Sequence, residues 1–186
     1  FGMVSRLYWQ KGIDLLVAAI EDAVAPGAQM VVLGSGDPGL EQHLRTTAAR
    51  FPEQVRVALK YDAGLSHLIQ AGSDFFLMPS RYEPCGLTQL YCLAYGAIPI
   101  VRRTGGLADT VCGLSPATRR RGSATGISFV PMTHGALVRA IRRAIALYED
   151  PAACEAVRRR GMGQVFSWER AARVDGELYR QAMAAA

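Results

Sequence analysis

The chain has 186 residues, half of them hydrophobic and a fifth charged, which suffices for one sizeable core without disulfide or metal staples. No apolar run approaches the roughly 20 residues of a membrane span. The net charge of +5 is dispersed over Arg102-Arg103, Arg119 to Arg121, Arg142-Arg143 and Arg158 to Arg160 without interleaved aromatics, which argues against nucleic-acid binding and for solvated faces. Cys85, Cys92, Cys112 and Cys154 show no Cys-x-x-Cys spacing and the three histidines are scattered, so neither a zinc site nor a disulfide framework is expected, and a reducing cytoplasm is. The opening Phe-Gly-Met-Val-Ser reads as already inside a strand, so further sequence upstream is expected.

In chain order, Phe1 to Val4 reads as a strand and Gly12 to Val24 as a helix, with apolar residues at Ile13, Leu16, Val17, Ile20 and Val24. Ala28 to Leu33 is a continuous apolar strand. Pro38 to Arg50 is a helix with proline in its first turn. Val55 to Leu59 is a strand, Leu65 to Ala71 a short helix, Phe75 to Met78 a buried strand, Leu87 to Tyr95 a helix and Ile98 to Val101 a strand. Ser115 to Ala124, rich in arginine and small residues, reads as a mobile surface loop. Gly126 to Val130 adds a strand, and helices close the chain at Gly135 to Tyr148, Pro151 to Arg160 and Trp168 to Met183, with Ser167 as N-cap. Strand-helix repetition with continuously apolar strands predicts an α/β fold: a doubly wound, mainly parallel sheet of Rossmann-like topology. Ligands of such sheets bind beyond the carboxyl ends of the strands.

Four constellations fall on those loops. Arg6 and Lys11 flank a loop that feeds a helix N-terminus; they are either two exposed cations or a clamp for a diphosphate. Gly34, Ser35 and Gly36 open Gly-Ser-Gly-Asp-Pro-Gly, a match to G-x-G-x-x-G. A dinucleotide reading is weak there, because Asp37 sets a carboxylate against the pyrophosphate and the turn follows the second strand. A turn that lets a ligand approach the backbone and a purely structural turn both remain open. Tyr61 follows the third strand, either to stack on a base or to pack at the strand end. The fourth is Pro-Ser-Arg-Tyr-Glu-Pro-Cys-Gly-Leu-Thr-Gln, 79 to 89. Glu83 lies between an apolar strand and a buried helix, where a charge needs a partner, such as Arg81, or a chemical task. Gly86, Leu87 and Thr88 present N–H groups and a hydroxyl at a helix start. Arg102, Arg103, Thr104 and Gly105 form a further site for phosphate or sugar hydroxyls. No Asp-x-Asp occurs, so a nucleotide-sugar enzyme built this way neutralises its leaving diphosphate with Arg and Lys, and no metal or other cofactor is expected.

These segments resemble the C-terminal, donor-binding domain of the bacterial glycogen synthases, in the glycogen and starch synthase family of retaining glycosyltransferases. The resemblance rests on Ser5-Arg6-Leu7…Gln10-Lys11-Gly12, Leu65-Ser66-His67…Gln70-Ala71-Gly72, the 79–90 segment, Arg103 to Val111 and Ser167-Trp168, and it covers essentially the whole chain. Related transferases share a looser pattern of two glutamates; here Tyr91 holds the second place. The resemblance implies one half of a two-domain enzyme with the active site between facing Rossmann-like domains. It implies that Arg6 and Lys11 contact the diphosphate of ADP-glucose and that Gly86, Leu87 and Thr88 cap its phosphate oxygens. Tyr61 then stacks on adenine, Glu83 lies beside the transferred glucose and Cys85 is donor-proximal without being a nucleophile.

The implied reaction moves glucose to the non-reducing 4-OH of an α-1,4-glucan with retention, by a front-face route. The resemblance implies that the glucan is held through an N-terminal domain onto which the last helix, about 167–184, packs, so this chain alone is expected to bind nucleotide weakly and to transfer nothing. Sucrose- or trehalose-phosphate-type transferases, a dinucleotide oxidoreductase built on Gly34 to Gly39 and a non-enzymatic sugar-binding domain are the alternatives.

Overall fold

A computed structural model describes residues 1–184. Six strands, β1 (Gly2–Val4), β2 (Met30–Leu33), β3 (Val55–Ala58), β4 (Phe75–Met78), β5 (Ile98–Arg102) and β6 (Ile127–Phe129), form one sheet in the order β3-β2-β1-β4-β5-β6. Every pairing is parallel. Parallel strands are covered on both faces, which is why these segments are continuously apolar rather than alternating. The order reverses between β1 and β4, and that reversal point is where an open α/β sheet leaves a crevice at its carboxyl edge.

Helices α1 (Ile13–Val24), α2 (Pro38–Arg50) and α7 (His134–Tyr148) cover one face. Their buried residues, among them Leu16, Ile20, Leu44 and Ile141, join Met3, Val32, Leu77 and Ile100 in the larger core. Helices α3 (Ala63–Gly72), α4 (Thr88–Tyr95) and α5 (Gly105–Thr110) cover the other face, where Ile69, Cys92 and Leu107 meet Leu33, Phe76 and Val101. Helix α8 (Pro151–Met162) packs on α4 and α7. The last helix, α9 (Trp168–Ala184), leaves Trp168, Val174, Leu178, Tyr179 and Met183 exposed. No helix among the described residues is long and apolar enough to cross a membrane.

The expected elements are all present, with shifted ends. Helix α3 starts two residues before the expected Leu65, because the Asp62 carboxylate accepts from the Leu65 N–H at 2.9 Å and so caps the extra turn. Helix α1 begins at Ile13, after Gly12 in the left-handed conformation. The stretch expected as a loop, Ser115 to Ala124, contains a helix, α6 (Pro116–Arg121). Ser115 and Thr118 form a reciprocal capping box, Pro116 sits in the first turn and Gly122 ends the helix with φ +63°. Arg119 pairs at 2.7 Å with Asp150, whose other oxygen caps α8.

Candidate functional site

The loop after β1 forms a short 3-10 turn (Trp9–Lys11), and the loop after β4 runs from Pro79 to Leu87. They cross at the sheet's reversal point. The Arg81 N–H donates to the Gln10 carbonyl at 2.8 Å, and Gln10 Nε2 donates to the Tyr82 carbonyl at 3.1 Å. The Arg81 side chain reaches back to make a bidentate pair with Asp14 at 2.7 and 2.6 Å. The alternative in which Arg81 pairs with Glu83 is therefore not the one realised. The Arg81 hydrogen bond, aided by its charge, holds the Asp14 carboxyl below its ordinary value.

Glu83 turns inward instead and is 7% exposed. Its Oε2 accepts from Lys11 Nζ at 2.5 Å and from the buried Ser80 hydroxyl at 3.1 Å. A cation from the first loop and a carboxylate from the fourth thus neutralise each other in a place poor in water, the condition under which a carboxylate is tolerated there. Arg6, by contrast, is exposed and forms no ion pair with any described residue; its guanidinium lies 5.9 Å from the Tyr8 ring centroid.

Arg6, Lys11, Ser80, Glu83, Gly86, Leu87 and Thr88 line a cleft of about 220 Å³. Among the described residues no group accepts from the N–H of Gly86, Leu87 or Thr88, so three successive donors at the start of α4 remain available. A second concavity of about 360 Å³ adjoins it and shares Val4, Ser5, Arg6 and Thr88. Gly34, Ser35, Lys60, Tyr61, His67 and Tyr91 line the second concavity. Tyr61 is 89% exposed, a ring with free faces at the edge of the cleft. The geometry accommodates an elongated anion: a planar group beside Tyr61, phosphates between Arg6 and the three amides, and a hydroxylated ring against Glu83 and Ser80.

The other expected residues are placed differently. Gly36 lines neither concavity and donates its N–H to Glu41 Oε1 at 2.9 Å. With Asp37 accepting from Leu40, two carboxylates occupy the donors at the start of α2, where a dinucleotide's pyrophosphate would have to sit. The glycines have another reason to be there. A Cβ at Gly34 would lie 1.9 Å from the Ser5 carbonyl oxygen, and one at Gly36 would lie 2.5 Å from that of Leu7. The turn lets the first two loops touch, which removes the basis for the oxidoreductase alternative.

Arg103 lines a separate concavity of about 290 Å³ with Arg139 and Arg143, away from Glu83. Cys85 is exposed and lines neither part of the cleft. Thr104 and Gly105 line neither concavity; the adjacent Gly106 N–H donates to the carbonyls of Glu83 and Pro84, both at 3.1 Å. A Cβ at Gly105 would lie 2.1 Å from the Glu83 oxygen, and one at Gly106 would lie 2.0 Å from that of Cys85.

Ser80 and Gln89 carry functions that the sequence reading did not assign. Gln89 is fully buried, and its Nε2 donates to the carbonyls of Cys85 at 3.0 Å and Gly86 at 2.9 Å and to the Thr110 hydroxyl at 3.2 Å. It fixes the turn that presents the three free amides. The available signal was a glutamine in the first turn of an otherwise apolar helix, where a buried amide requires partners. Among the described residues no three His, Cys, Asp or Glu side chains converge to hold a metal ion.

The family model described as glycosyl transferases group 1 matches residues 1–160. The glycogen synthase of Mesorhizobium japonicum is 51% identical over 96% of this chain and 37% of its own length. That of Cereibacter sphaeroides is 50% identical over 98% of this chain and 38% of its own. Among solved structures, the catalytic domain of Starch Synthase IV from Arabidopsis thaliana, bound to ADP and acarbose, superposes with a TM-score of 0.87 at 36% identity, over 98% of this chain and 38% of that one. Sucrose-phosphate synthase from Thermosynechococcus elongatus gives 0.72 at 28% identity, over 100% of this chain and 46% of that one. This chain therefore spans less than half the length of these relatives.

Proposed function

The chain belongs to the group 1 glycosyl transferases, and from that premise we propose that it is the donor-binding part of a glycogen synthase. The whole enzyme transfers glucose from ADP-glucose to the non-reducing end of an α-1,4-glucan with retention. The observation that carries this reading is the convergence, at the sheet's reversal point, of a buried carboxylate, two cations and three free amides in one cleft. The level of identity to glycogen synthases supports the glucan product over the sucrose-phosphate type.

In this reading the adenine stacks on Tyr61. The diphosphate lies between Arg6 and the N–H groups of Gly86, Leu87 and Thr88, with the α4 dipole behind them. Lys11 stands between the diphosphate and Glu83. As the glycosidic bond opens, negative charge grows on the leaving diphosphate and positive charge on the glucose C1. Arg6, Lys11 and the amides face the first charge, and the Glu83 carboxylate faces the second. Ser80 holds that carboxylate in place. The cations neutralise the leaving group in this scheme, with no role assigned to a metal. The glucan approaches from the open side of the cleft, held mainly by the part of the protein outside this chain. Four unpaired cysteines support the reducing cytoplasm as its compartment.

Calorimetric titration with ADP-glucose and UDP-glucose tests this reading. Binding of ADP-glucose that is lost in Arg6→Ala and in Tyr61→Ala supports it. Preference for UDP-glucose would move the chain to another branch of the family, and binding indifferent to both substitutions would place the donor elsewhere.

A further inference from the structure

Three aromatic side chains stand on the two loops that carry Lys11 and Glu83: Tyr8 and Trp9 on the first, Tyr82 on the second. Trp9 is 65% exposed and Tyr82 60% exposed, although each lies within two residues of the enclosed ion pair. Trp9 is held in a built setting. The Arg81 guanidinium lies 4.0 Å from the ring centroid, and its Nη1 donates to the Trp9 carbonyl at 2.6 Å. The same guanidinium is clamped by both oxygens of Asp14. One face of the indole is thus backed by a fixed planar cation, and the other side is turned to solvent. The hydrogen bonds between Gln10 and the 81–82 backbone tie the two loops together, so the two rings belong to one rigid rim.

A ring with a fixed orientation and a free face suits the flat C–H faces of a pyranose. Such a sugar packs on an indole without leaving a polar group unpaired, and little side-chain freedom is lost on binding because the ring is already held. We propose that Trp9, with Tyr82 on the adjoining loop, is a stacking platform for a glucose unit of the α-glucan chain at the rim of the donor cleft. This inference rests on the glycogen synthase reading, in which Glu83 marks the transferred glucose and an incoming chain end crosses this rim to reach it.

The sequence contains two tryptophans, so Trp168→Phe leaves Trp9 as the sole indole reporter, and Trp168 lies on α9 away from the cleft. Titrating the Trp168→Phe protein with maltoheptaose is expected to give a saturable change in Trp9 emission. In glycogen-containing gels Trp9→Ala is expected to be retained about tenfold more weakly, the scale of a lost ring stack. Trp9→Phe is expected to recover part of that retention, and unchanged thermal midpoints show that the variants are folded. ADP is titrated in parallel. Emission that ignores maltoheptaose while ADP still binds overturns the platform and leaves the donor site standing. Equal retention of Trp9→Ala and the parent also overturns it. Failure to bind either ligand sinks the donor reading and the platform together.

Discussion

Lys11 Nζ and Glu83 Oε2 meet at 2.5 Å although 72 residues separate them in the chain. With side-chain exposures of 17% and 10%, neither group is fully solvated, and each is the other's charge partner. Removing Lys11 leaves a carboxylate enclosed with only the Ser80 hydroxyl beside it. Lys11→Ala is expected to cost about 3 kcal/mol in urea unfolding, the scale of a broken enclosed pair, and Glu83→Gln in the same background to restore most of it. Equal losses in the single and double variants would show that the loss does not come from an uncompensated Glu83 charge.

Gly106 lies where the fourth and fifth loops cross, and an added methyl group would sit 2.0 Å from the Cys85 carbonyl oxygen. Backbone atoms on that side cannot step aside as a side-chain end can. Gly106→Ala is expected to destabilise by about 3 kcal/mol and to weaken ADP binding, because the turn bearing the free amides must shift. Gly176→Ala, inside helix α9 with nothing within 4 Å, is the control and is expected to leave ADP binding unchanged without destabilising the protein.

Gln89→Ala is expected to weaken ADP binding more than it alters the affinity for a simple sugar, since Gln89 fixes the 85–86 turn and not the Glu83 carboxylate. Calorimetry with ADP and with glucose on the same protein separates the two. Equal losses would mean a general structural role.

The Asp14 carboxyl titrates below its ordinary value because Arg81 binds its charged form. A depressed folded-state pKa means that the pair's stabilisation is present above the unfolded value near pH ~4 and is lost as the pH falls through the lower folded value. Asp14→Asn is therefore expected to flatten the acid limb of a thermal-midpoint profile between about pH 5 and pH 2. A limb of unchanged steepness would assign acid sensitivity to other carboxylates.

Thiol accessibility gives a further check. Burial pushes the Cys92 thiol far above its usual value and Cys154 upward as well, while Cys85 is exposed and Cys112 partly so. In the folded protein a maleimide is expected to modify Cys85 first, then Cys112, and to leave the other two until unfolding. Slower labelling of Cys85 with ADP present would place the donor beside it; an unchanged rate would confine Cys85 to the loop's outer side.

Much of the fold was legible because its signals are local. Phe75 to Met78 is apolar at every position, as a strand covered on both faces must be, and Pro38 and Gly12 mark helix starts by backbone chemistry. The helix within residues 115–124 is not legible, because a run of arginines and small residues has no apolar period. The helix there is set by the reciprocal Ser115–Thr118 cap, with threonine in place of the usual acidic or amide residue. Within the site, Glu83 was recognisable as a charge in an apolar setting, yet its partner was not. Arg81 was nearer in sequence, but the loop turns it toward Asp14, and only the strand order brings Lys11 across. Arg103 and Gly36 stood in motifs with plausible ligands, and the direction taken by each was fixed by packing against β6 and by the cap on α2.

The split of the cleft between the ends of β1 and β4 also orders events in time. The strands β1 to β3 are adjacent in the sheet, and that half contains Arg6 and Tyr61 without Glu83 or the three amides. Closing a contact 72 residues long comes late in a chain whose other strand pairs are nearer neighbours. Nucleotide binding during refolding would therefore report the joining of the two half-sheets rather than collapse or helix formation, a clock built into the connectivity of the sheet.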